Sequence, residues 1–180
     1  MVKIYSARGF NVRTAKMDNE FSHMEEDFKD LGLQLQTVAA DAHVPKIERQ
    51  IRVIKERVRA TRHTLPFKVL PLLMLVELVY HSVMWLNAFP PKGGVSEILS
   101  PRTIITGMTL DAKKHCQLPF GTYVQAHVSA HPTNTPAERT VGAICLGPKG
   151  NLSGTYKFMS LRTGKIITRS AGPNYRCLRR

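Results

Sequence analysis

The chain has 180 residues, enough for one ordinary domain or for a small domain with part of another. Hydrophobic residues make up 43% of it and charged ones 22%, a balance that excludes a largely disordered polypeptide. The net charge of +13 and a sequence pI near 10.1 turn attention away from small neutral substrates and toward a polyanion, either nucleic acid or an anionic membrane surface.

Cys116, Cys145 and Cys177 are odd in number and widely spaced, which points to reduced thiols and an intracellular setting, nucleus or cytoplasm. No apolar run of the secretory kind opens the sequence. The most apolar window, residues 70–86, is interrupted by Pro71, Glu77 and His81 and is short for a span. It reads as a buried helix, and no membrane is expected as a partner.

In chain order, residues 11–17 read as a short strand that ends at Asp18. Residues 22–31 read as a helix with Phe21, Met24, Phe28 and Leu31 on its apolar side, Ser22 as its cap and Gly32 as its stop. Residues 33–38 alternate with period two and form a second strand, and a loop over 39–44 follows. The next helix runs from Pro45 to about Thr64. Ile47, Ile51, Ile54 and Val58 recur on one face, while Glu48, Arg52, Lys55, Arg59 and Arg62 share a second sector roughly 80° wide. Leu65-Pro66-Phe67 breaks this helix, and another spans 71–88. Pro90 to Gly94 is a boundary, and Ser100-Pro101 opens a short helix. Four strands are expected over 120–128, 141–148, 154–161 and 165–169, separated by a polar loop over 129–139 and by turns at Gly150-Asn151 and Thr163-Gly164. That pattern predicts a small barrel or sandwich. Residues 171–180 have no periodicity.

The ordered series is a carboxylate ending a strand, then helix, strand, loop, and a carboxylate on a basic helix. It resembles the integrase of copia-type long-terminal-repeat retrotransposons. Met17-Asp18-Asn19-Glu20-Phe21 is similar to the segment around the family's second catalytic aspartate, and His43-Val44-Pro45-Lys46-Ile47-Glu48-Arg49 to that around its catalytic glutamate. Asn87-Ala88-Phe89-Pro90 and Leu99-Ser100-Pro101-Arg102 resemble the stretch beyond the core, and Phe120-Gly121 with Thr155-Tyr156 through Gly164-Lys165 resemble the SH3-like barrel that follows.

The resemblance implies an α/β fold, with the C-terminal portion of an RNase H-like core over residues 1–92, a linker over 93–116, an SH3-like β-barrel over 117–170 and an irregular tail over 171–180. It implies a retrotransposon integrase fragment derived from a metal-dependent polynucleotidyl transferase. In such enzymes carboxylates hold two Mg²⁺ (or Mn²⁺) ions that activate the attacking oxygen and stabilise the leaving one. Asp18 and Glu48 would be those catalytic ligands, and Arg49, Arg52, Lys55, Arg59 and Arg62 would grip DNA backbone. Other segments of a polyprotein or a second copy are further expected partners. The family's first aspartate would precede residue 1, and the 29 residues between Asp18 and Glu48 are a short spacing for the family. Catalysis by this chain alone is therefore not expected. The alternative is a non-enzymatic basic module that binds nucleic acid.

Weaker patterns have plainer readings. His115, Cys116, His127 and His131 fit no compact zinc motif. Gly147-Pro148-Lys149-Gly150 is a turn rather than a phosphate loop. Tyr123, Tyr156 and Phe158 read as barrel core before base-stacking platforms. The helix over 71–88 is a candidate for self-association.

Overall fold

Thr14–Asp18 (β1) and Gln34–Val38 (β2) pair in parallel, from Thr14 opposite Gln34 to Asp18 opposite Val38. A parallel pair requires a crossover of a dozen or more residues. Here it is a 3₁₀ helix, Asn19–Met24, continued by α2, Glu25–Asp30. The chain is described by a computed structural model covering residues 2–38, 45–128, 134, 136 and 138–170. It opens on a short α1, Val2–Ser6, which the sequence pattern did not indicate. The loop at 39–44, most of the loop at 129–139 and the tail at 171–180 lie outside the described residues.

The crossover begins earlier than expected. Asp18 is its cap: the carboxylate accepts the Asn19 N–H at 2.7 Å, and Ser22 lies inside the 3₁₀ helix. At the other end Gly32 adopts φ +70, its N–H donates to Lys29 O at 2.8 Å, and the Leu33 N–H donates to Phe28 O at 2.9 Å. This double closure is the Schellman stop that only a left-handed residue permits cheaply. It delivers Leu33 into burial at the head of β2.

Pro45–Thr64 (α3) and Leu72–Leu86 (α4) form a helical hairpin joined through residues 65–71. Twenty residues make α3 about 30 Å long against about 22 Å for the fifteen of α4. The first turns of α3 therefore overhang. Ile54 and Val58 are half-buried, whereas Ile47 and Ile51 stay 49% and 45% exposed. On α4, Met74 and Leu78 turn inward, Leu72, Val76 and Val79 are exposed, and Tyr80 is exposed at the rim on the side of Pro148 and Lys157.

The remaining strands are Tyr123–His127 (β3), Thr140–Pro148 (β4), Thr155–Ser160 (β5) and Ile166–Ser170 (β6), in an antiparallel sheet of order β3-β4-β5-β6. Period-two alternation splits their apolar residues between the faces. Ile144, Leu146 and Met159 join Phe120 and meet Met74 and Leu78 of α4, with Val58 and Leu65 packed at the margin. Val124, Ala126, Ala143, Cys145, Tyr156 and Phe158 form a second cluster on the other face. Full burial of a side chain such as Leu78 contributes roughly 1.5–3 kcal/mol. Beside it, Lys157 of β5 donates to both carboxylate oxygens of Glu77 at 2.8 and 3.1 Å.

Residues 101–115 are tied to the sheet. Pro101–Thr106 (α5) is capped by Ser100, which accepts the Thr103 N–H at 3.1 Å, and Ala112–His115 (α6) is capped by Asp111. Three side chains from this segment meet three successive carbonyls of the β4–β5 turn. The Arg102 guanidinium donates to Gly150 O, His115 Nε2 lies 2.9 Å from Asn151 O, and Lys114 Nζ donates to Leu152 O at 3.3 Å. The fold is thus mixed α/β, and its four-stranded sheet does not close on itself among the described residues. In place of a ladder, Arg169 of β6 donates from Nε to His127 O and from Nη2 to Val128 O, each at 2.8 Å.

Candidate functional site

The cationic sector of α3 follows directly from sequence spacing. Steps of three and four residues keep Arg52, Lys55, Arg59 and Arg62 above one another, over about 15 Å of helix. All four are exposed, and Arg49 is exposed beside them. The ion pairs among described residues, Lys29–Glu25, Lys157–Glu77 and Arg162–Glu138, involve none of these cations. Half-buried Val58 packs against the core that holds Met74 and Leu78 of α4, while the ridge stays exposed. Arg62 lies in the last turn, where a cation complements the helix dipole, and Glu48 lies in the first, where an anion does.

Asp18 is exposed at the C-terminal end of β1, with its carboxylate already accepting one backbone hydrogen bond; Glu48 is exposed on α3. Among the described residues, no three His, Cys, Asp or Glu side chains come together as a metal group. Mg²⁺ is commonly bound through one or two carboxylates with waters and substrate phosphates completing the shell, so both residues are of the chemical type such a site uses.

The zinc reading loses His115, which is buried with both ring nitrogens engaged. Nε2 is 2.9 Å from Asn151 O, and Nδ1 faces the backbone of Asp111. His131 lies outside the described residues. Tyr156 and Phe158 are fully buried and serve as core, and the Tyr123 hydroxyl accepts from Gln125 Nε2.

A second feature was not singled out as a site from sequence. Glu77, Tyr80, His81 and Met84 of α4 face Leu146, Pro148, Lys149 and Lys157 across a cavity of about 220 Å³. Burial holds the His81 imidazole well below its usual range, at about 4, so it is neutral near pH 7. Its Nδ1 is buried with no hydrogen-bond partner among the described residues. Gly147, at the irregularity where the β4–β5 register shifts, makes room for that ring: a Cβ there would lie 2.4 Å from Nδ1. The available signal was Glu77 and His81, two polar residues four apart in an apolar helix.

No protein-family model matches this sequence, and no curated protein matches it significantly. No helix of the described residues is long and apolar enough to cross a membrane.

Proposed function

We propose that this protein is a nucleic-acid-binding module related to copia-type integrases and that it holds DNA backbone along the exposed face of α3. The observation that carries the reading is the ridge Arg52, Lys55, Arg59 and Arg62, solvent-facing on a chain of net charge +13. Such a ridge releases counterions from DNA, so affinity falls steeply with salt and carries little base specificity. In this reading residues 1–92 correspond to part of an RNase H-like core. The four-stranded sheet, whose edge strands are linked by the hydrogen bonds of Arg169, corresponds to the SH3-like barrel.

Asp18 and Glu48 are the residues that would hold Mg²⁺ or Mn²⁺, the metal supplying Lewis-acid stabilisation of a phosphodiester under attack. The chain's own residues place those carboxylates at a strand end and on the first turn of the DNA-gripping helix. The test is duplex binding and metal-dependent nicking, with Arg52→Ala/Arg59→Ala and Glu48→Gln beside the wild type. The double variant is expected to lose binding roughly tenfold or more at low salt. Glu48→Gln is expected to keep binding, and to abolish any nicking that the wild type shows. Binding that ignores the double variant would reject the ridge. Nicking that survives Glu48→Gln would reject the carboxylate's role.

A further inference from the structure

The cavity between α4 and the β4–β5 hairpin has a chemistry of its own. Its floor is apolar, made by Leu146, Pro148 and Met84. Tyr80 supplies an aromatic wall, steadied by the Lys157 ammonium 5.7 Å from its ring centroid. At one edge Lys157 and Glu77 form a donor beside an acceptor, held together at 2.8 Å. Glu77 and Lys157 cancel, so the exposed Lys149 leaves the cavity with one net positive charge. A volume of about 220 Å³ lies below the roughly 300–1,000 Å³ of sites for drug-sized ligands and suits one planar ring system.

We propose that this cavity takes a single unstacked nucleotide, with the base against Tyr80 and the apolar floor and the phosphate on Lys149. This rests on the nucleic-acid reading and deepens it, because the α3 ridge engages backbone alone. A base has the three properties the walls require: a π-face for Tyr80, a donor–acceptor edge for the Glu77–Lys157 pair, and an attached anion for Lys149. An inorganic phosphate would leave the apolar floor uncovered. A purely apolar peptide side chain would leave the polar edge facing hydrocarbon, which costs free energy.

The protein carries its own reporter. Trp85, the single tryptophan, makes an edge contact with His81, ring centroids 6.0 Å apart. Trp85 emission of the full chain would be titrated with dAMP, deoxyadenosine, inorganic phosphate and an acidic amphipathic peptide. Expected is a saturable change with dAMP, a weaker affinity for deoxyadenosine, and no change with phosphate or peptide. Lys149→Ala, an exposed position, should weaken dAMP roughly tenfold. Met84→Phe should fill the cavity and remove the response, with thermal unfolding confirming that it folds. A flat dAMP titration, or an equal response to phosphate or peptide, overturns the proposal. Arg52→Ala/Arg59→Ala separates the two readings: it should lose duplex binding yet keep the dAMP response. Duplex binding without a dAMP response would reject the cavity alone, and the converse would reject the ridge alone.

Discussion

At the scale of single residues, the strongest chemistry belongs to His81. Its folded pKa of about 4 lies below the ordinary value of 6.5, so between those values the unfolded chain binds the extra proton. Stability is thus complete above pH 6.5 and is lost as pH falls through the window down to about 4. After discounting for the part of the ring that water reaches, the loss is on the order of 2 kcal/mol. Urea unfolding across that window should show the decline, and His81→Phe, which keeps a ring against Phe120 and Trp85, should remove His81's share of it. A slope unchanged by the substitution would place the titration elsewhere. The thiols offer a second contrast. Cys145 is fully buried and burial pushes its pKa up to about 12, whereas Cys116 is exposed. Mass spectrometry after brief alkylation of the native protein should find Cys116 modified and Cys145 untouched.

At the scale of elements, α4 organises the described fold through two different attachments, an apolar seat and the Glu77–Lys157 pair. Lys157→Met would strand Glu77, a buried carboxylate, and should destabilise by about 3 kcal/mol in chemical denaturation. Glu77→Gln added to it should recover part of the loss, and strict additivity would contradict the coupling. Most element boundaries were legible because each rests on local chemistry. The helix starting at Pro45, the Ser100-Pro101 cap and the period-two strands all obey patterns of a few residues. The crossover start was misplaced because Asp18 and Ser22 are both competent caps and only the folded chain decides between them. Helices α1 and α6, of five and four residues, are too short to carry a period. The cavity was not legible: Lys149 and Lys157 reach α4 only through the pairing of β4 with β5 and the seating of α4 on that sheet.

At the scale of the molecule, a basic ridge stands on a helix at the margin of the packed core. The core unites α4 with the four-stranded sheet, and α3 carries Arg52, Lys55, Arg59 and Arg62 exposed. Strong net charge makes the ridge act over distance, within a Debye length of about 8 Å at physiological salt. The most direct test of the account is the salt dependence of duplex DNA binding by the wild type and by Arg52→Ala/Arg59→Ala. Each phosphate contact contributes about −0.9 to the slope of log affinity against log salt, so the double variant should be shallower by about 2. Equal slopes for the two proteins would contradict the central claim that DNA lies along α3.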